Sequence, residues 1–113
     1  MTTKELLEKL KLSRSTRCVE LLKKLSKEQN IFIIHNVSSS VYADDEILIK
    51  FIKHKEKGIR FNIAQNEGAS VKVLKLLTEH ESDKEVLEEI IHNKRCTKSL
   101  KAEIMKKLTR LGA

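Results

Sequence analysis

Three asparagines, Asn36, Asn66 and Asn93, each close a short apolar segment, and each is followed four residues later by a hydroxyl residue: Ser40, Ser70 and Thr97. Two apolar residues stand before each closing pair, in Ile33-Ile34, Ile63-Ala64 and Ile90-Ile91. Asparagine tolerates the left-handed backbone that ends a helix, and Ser or Thr accepts hydrogen bonds from the free N–H groups of the next one. A helix-stop-and-restart signal recurring at steps of 30 and 27 residues predicts tandem units. Units of this kind bury their apolar faces by stacking on their neighbours.

The surrounding pattern predicts only helices. The chain of 113 residues has three glycines and no proline, so tight-turned strands are disfavoured against a background rich in Leu, Ile, Lys and Glu. Thr2 and Glu5 have capping-box spacing ahead of Leu6, Leu7 and Leu10, which starts a first helix near residue 3. The hydroxyls of Ser13, Ser15 and Thr16 precede a second, at about 16–27, carrying Val19, Leu22 and Leu25. Residues 30–36 predict a buried helical turn or two. Asp44, Asp45 and Glu46 bring acid to the positive end of a longer helix at about 41–56, ended by Gly58. Ile59 to Asn66 forms a further short segment, Ser70 opens a helix to His80, Ser82 and Glu85 form a second capping-box pattern, and Thr97 starts a last helix that fades at Gly112. The expected core is Ile33, Ile34, Leu48, Phe51, Ile63, Ala64, Leu74, Leu77, Ile90, Ile91, Ile104 and Leu108.

The run Ile59-Arg60-Phe61-Asn62-Ile63-Ala64-Gln65-Asn66, continuing through Ser70 to Leu74 and Leu77, resembles the unit of the leucine-rich repeat variant family, roughly Val-Arg-x-x-Val-Ala-x-Asn-Pro followed by a hydroxyl residue and Leu-x-x-Leu. Val37, Glu67 and Lys94 stand where that pattern usually has proline, and extra residues separate the hydroxyl position from the leucines after Asn36 and after Asn93. The resemblance implies an all-α fold, a short right-handed α-solenoid of alternating short and longer helices with HEAT-like character. It would form one domain over 1–113, with a helical cap at 1–28 and repeats at about 29–56, 59–80 and 86–108.

No constellation in the sequence points to catalysis. Cys18 and Cys96 cannot furnish four thiolates to a zinc or iron–sulfur centre, and small buried side chains near helix starts account for them. His35 and His92 recur at helix ends, and His54 and His80 lack a second ligand at helical spacing, so no metal site is expected. The three glycines are isolated and form no phosphate loop. No cofactor and no enzymatic activity are expected. The opening residues alternate charge with leucine, and the longest apolar run is Ile31 to Ile34, so neither a signal peptide nor a membrane span is expected, and the two cysteines suit a reducing cytoplasm.

Charge is the most informative functional signal. The net charge is +7, and it is unevenly placed: eight cations against four acids in residues 1–30, three against seven in 61–90, and seven against one in 91–113. Arg14, Arg17, Lys94, Arg95, Lys98 and Lys101 are therefore the candidate binding residues. A non-catalytic scaffold for a protein partner, acidic in character, fits these charges and the repeat. The alternative is contact with the phosphate backbone of a nucleic-acid duplex, which needs cations but no aromatics. The aromatics are few, Phe32, Tyr42, Phe51 and Phe61, with the three Phe on expected core positions, which gives stacking on single strands little support. Self-association through the end repeats is left open.

Overall fold

The computed structural model describes residues 1–112, and the described chain is built from eight helices without strands. They are α1 (Thr3–Ser15), α2 (Val19–Leu25), α3 (Ile31–Ser39), α4 (Asp45–Ile49), α5 (Lys57–Gln65), α6 (Val71–His80), α7 (Lys84–His92) and α8 (Lys98–Arg110). The molecule is elongated, 47 × 23 × 17 Å. Among the described residues no helix is long and apolar enough to cross a membrane.

The helices repeat in register. α3, α5 and α7 are each nine residues long and begin at residues 31, 57 and 84, steps of 26 and 27. α2, α4, α6 and α8 begin at residues 19, 45, 71 and 98, steps of 26, 26 and 27. α1 packs on α3, α3 on α5 and α5 on α7, while α4 lies on α6 and α7 on α8. Equivalent positions along the short helices are fully buried: Ile33, Ile59 and Val86 in one set, Val37, Ile63 and Ile90 in the next. Each such side chain contributes about 1.5–3 kcal/mol by leaving water. They belong to one continuous aliphatic cluster running from Leu22 to Leu108.

The connection after each short helix shows what sets the repeat. Ser40, Asn66 and Asn93 are the C-caps of α3, α5 and α7. Their side-chain oxygens accept from the N–H two residues on, that of Tyr42 (3.2 Å), Gly68 (2.8 Å) and Arg95 (2.9 Å), and their carbonyls accept from Ala43, Ala69 and Cys96 to close a tight turn. Asp44, Ser70 and Thr97 then cap the next helix, accepting from Ile47, Val73 and Leu100. Thr16 makes the same local bond to the N–H of Cys18 at the end of α1.

Several expectations need correction against this register. Asn36 is not the counterpart of Asn66; it lies inside α3, and Ser40 takes the equivalent place. The counterpart of Asn36 is Asn62. Asn36 donates to the Leu10 carbonyl and the Ser13 hydroxyl of α1, and Asn62 donates to the His35 carbonyl and the Ser38 hydroxyl of α3. The stop asparagines are not left-handed either: Asn66 and Asn93 have φ of −67° and −70°, and among the described residues only Gly112 has a positive φ. The helix stops because the side chain takes over the hydrogen bonding, leaving the backbone extended.

Helix boundaries move for similarly local reasons. α4 is five residues long rather than reaching 56, because the N–H groups of Phe51, Ile52 and His54 bond three residues back instead of four. Gly58 lies in the first turn of α5, not at the end of α4. Repeat starts expected at 59 and 86 fall two residues inside α5 and α7, which begin at Lys57 and Lys84. α2 covers only Val19–Leu25, and the Ser13 and Ser15 hydroxyls bond back into α1 instead of capping it. α7 is capped by Asp83, which accepts from Glu85 and Val86, and not by Ser82. Eleven of the twelve expected core residues are buried, Ile91 being half-buried. Phe32 is 65% exposed and Phe61 half-buried, so of the three Phe only Phe51 is a core residue in full.

Candidate interaction surface

Successive turns touch one another, which gathers them into a single edge. Asn66 donates to the carbonyls of Ser38 (3.0 Å) and Ser40 (2.8 Å), and Asn93 repeats this one layer on, to Ala64 (2.9 Å) and Asn66 (3.0 Å). A Cβ on Gly68 would stand 2.3 Å from the carbonyl oxygen of Val41, so only glycine allows the third turn to lie this close to the second. Lys94 lies 3.5 Å from Glu67, joining the fourth turn to the third, and the Arg17 guanidinium sits 5.7 Å from the centre of the Tyr42 ring, joining the first to the second. Buried side-chain amides of Asn66 and Asn93 carry this stacking, and every buried polar side-chain atom of the described chain has a partner.

All six charged residues singled out by the sequence lie on or beside this edge and are exposed, but they fall in two groups. Arg14 is in the last turn of α1 and Arg17 in the turn after it; Lys94 and Arg95 are in the turn after α7, and Lys98 and Lys101 in the first turns of α8. The two turns between them carry Val41 and Tyr42, then Glu67 and Gly68. Val41 and Tyr42 are about half exposed, at 52% and 43%. At the start of α4, just after them in the chain, Asp44 and Glu46 pair with Lys23 of α2 at 3.9 and 3.3 Å. The Glu46 hydrogen bond, with the charges of Glu46 and Asp44, raises the Lys23 pKa. The edge thus has cationic ends and an apolar middle.

The opposite edge is held differently. Arg60 of α5 forms a two-pronged ion pair with Glu81, its Nε 2.8 Å and its terminal nitrogen 3.3 Å from the two carboxylate oxygens. Its other terminal nitrogen donates to the carbonyls of His54 and Lys55, and Glu81, 2% exposed, also accepts from the N–H of Asp83. This group ties the connections before α5 and α7 together. Lys107 of α8 donates to the carbonyls of Thr78 and Glu79 at the end of α6. Neither cation is free to act on a ligand.

The thiols and imidazoles are dispersed. Neither cysteine is the buried side chain expected: Cys18 is exposed and Cys96 half-buried, where burial raises its pKa against the opposing charge of Lys101, so its reactive thiolate is disfavoured. Nδ1 of His35 lies 2.9 Å from the Asn62 amide, and Nδ1 of His54 accepts from the N–H of Glu56. Among the described residues no three His, Cys, Asp or Glu side chains gather where a metal ion could be held. Tyr42 and Val41 are the surface residues that composition and charge did not single out. The signal for them was the motif Ser40-x-x-Ala43-Asp44, which matches Asn66-x-x-Ala69-Ser70 and marks its two middle residues as the tip of a turn. Comparison with family models, curated proteins and solved structures finds no match to this chain.

Proposed function

We propose that this chain is a non-catalytic scaffold, a short right-handed α-solenoid akin to the leucine-rich repeat variants, which binds a protein partner along its turn edge in the cytoplasm. The register of 26 and 27 residues and the in-line packing of α1, α3, α5 and α7 support the solenoid reading. The observation that carries the binding role is the edge itself: the second, third and fourth turns locked side by side through Asn66, Asn93 and Gly68, with Arg17 of the first turn against Tyr42, presenting exposed Val41 and Tyr42 between cationic ends. Stacked units offer extended, rigid surfaces of this kind, and a rigid surface loses little entropy on binding. A duplex lying along the edge would meet Glu67 and the carboxylates of α4 at its middle, where phosphate contact calls for cations.

The test places a photo-reactive residue at Val41 and, as a control on the other edge, at Ser82. Irradiation in nuclease-treated extract is expected to give discrete protein adducts at position 41 and none at 82. Adducts that vanish with nuclease would transfer the edge to the nucleic-acid reading, and equal labelling at both positions would remove the edge from consideration.

A further inference from the structure

The charge pattern along the turn edge is specific enough to describe the partner. The cationic groups sit on the first and fourth turns, with Arg17 at one end and, at the other, Arg95 and the exposed Lys94, whose ammonium also lies 3.5 Å from Glu67. The middle turns offer exposed Val41 and Tyr42, and carry Glu67 and, at the start of α4, Asp44, Asp45 and Glu46. Neighbouring helices pack about 8–10 Å apart, so three steps separate the ends by roughly 25–30 Å. An extended strand rises about 3.3 Å per residue, and some eight or nine residues span that distance.

We infer that the partner presents an extended acidic segment in which two clusters of Asp or Glu, about nine residues apart, flank an uncharged apolar centre. Each acidic cluster meets one cationic end, and the apolar centre lies on Val41 and Tyr42. Lys94 offsets Glu67, but at the start of α4 Asp44, Asp45 and Glu46 outnumber the one lysine paired there, Lys23, so carboxylates at the centre of the segment are disfavoured. The Arg17 guanidinium lies 5.7 Å from the centre of the Tyr42 ring, and the Tyr42 N–H donates to the Ser40 hydroxyl within the turn. An aromatic beside a cation is the kind of anchor enriched among the residues that dominate interfaces. This inference rests on the scaffold reading above and narrows it to one class of ligand.

The experiment titrates the full chain against labelled peptides of twelve residues and reads fluorescence anisotropy. The probe has acidic triplets at both ends and Leu-Phe at its centre between neutral spacers. One control carries the six acids contiguously, another replaces Leu-Phe by Ser-Ser, and a third is a 12-base-pair duplex. The expected result is that the split-acid probe binds about tenfold more tightly than the contiguous one and that losing Leu-Phe costs about three- to tenfold. Arg17→Glu and the double change Lys94→Glu with Arg95→Glu should each weaken the probe about tenfold, and Tyr42→Ser about threefold or more, with helical circular dichroism unchanged. Equal affinity for split and contiguous peptides, tighter binding of the duplex, or variants that leave the probe unaffected would overturn the inference. If nuclease-resistant adducts form at position 41 while the split-acid probe shows no preference, this description of the ligand fails and the scaffold reading stands. If the adducts are lost as well, both fail.

Discussion

The side-chain amide of Asn93 donates to the main-chain carbonyl of Asn66, 3.0 Å away, while the side-chain amide of Asn66 donates to the carbonyl of Ser40 at 2.8 Å. The third and fourth turns are thereby each hung from the one before. The side-chain oxygen of each asparagine is engaged within its own turn, on Gly68 and Arg95, so one residue both ends a helix and fixes the spacing between layers. Hydrophobic burial holds the layers together without direction, and these bonds supply the register.

Removing that amide should therefore cost more than an average surface change. Asn93→Ala leaves the carbonyls of Ala64 and Asn66 without their interlayer donor, and each lost buried bond costs about 1–3 kcal/mol. A loss of roughly 2–4 kcal/mol is expected, read as a lower urea midpoint. A change below about 0.5 kcal/mol, the level of a neutral surface substitution, would show that the bonds do not support the stack.

Two glycines give opposite expectations. Gly68→Ala pushes a methyl group against the Val41 main chain, 2.3 Å from its oxygen, and should destabilise by about 1–3 kcal/mol as an overpacked site. Gly58→Ala meets only the far end of the His35 ring, at 2.9 Å, which can shift, and it gains up to about 1 kcal/mol of helix propensity. Parallel thermal melts are expected to place Gly68→Ala well below Gly58→Ala. The reverse order would contradict the close approach of the second and third turns.

The buried Arg60–Glu81 pair should respond asymmetrically. Glu81→Ala strands the guanidinium, which is only 18% exposed, and the cost of breaking a buried pair from one side is about 3–5 kcal/mol. Replacing both residues with apolar ones of similar size, Arg60→Met with Glu81→Leu, should recover a large part of that loss. Denaturant curves of the two variants decide it: a double variant less stable than Glu81→Ala would mean that the pair contributes net stability.

Asp83 supplies a pH dependence. Burial raises its carboxyl pKa, but the hydrogen bond from the Val86 N–H, the contact with Lys57 and the bond from the Glu85 N–H outweigh that, and the net shift is downward. A folded value below the unfolded one, about 3.9, means that the contribution is present above that pH and is lost as pH falls through the folded value. Stability of the parent chain should therefore fall more steeply below pH 4 than that of Asp83→Asn, whose residue 83 does not titrate. Parallel slopes in acid-unfolding curves would contradict this.

Much of the fold was legible, and what was missed has definite causes. Helical composition, the recurrence itself, and the caps Ser70 and Thr97 were readable because apolar spacing and hydroxyl caps are local signals. The first layer was misregistered because Asn36 mimics the motif by composition while its side chain serves α1, and because Ser40 fills the asparagine place with a shorter acceptor. Aligned on Ser40, the cap-to-core spacing becomes regular: Asp44 to Leu48 matches Ser70 to Leu74, and Phe51 matches Leu77. The extra residues that separated the hydroxyl from the leucines in that layer disappear. The six basic candidates were found by charge alone, but their division between two ends depends on which turns stack, and that is set by tertiary contacts such as Gly68 against Val41. Arg60 and Glu81, 21 residues apart, carried no local sign of pairing.

The stacking of turns is tested most directly by nuclear Overhauser contacts from the side-chain amide protons of Asn66 and Asn93. The structure requires Asn93 amide contacts to main-chain protons of Glu67 and Asn66, and Asn66 amide contacts to those of Val41 and Ser40, with both amides exchanging slowly with solvent. Asparagine amides that exchange as fast as those of an unfolded peptide, with contacts only inside their own turns, would contradict it.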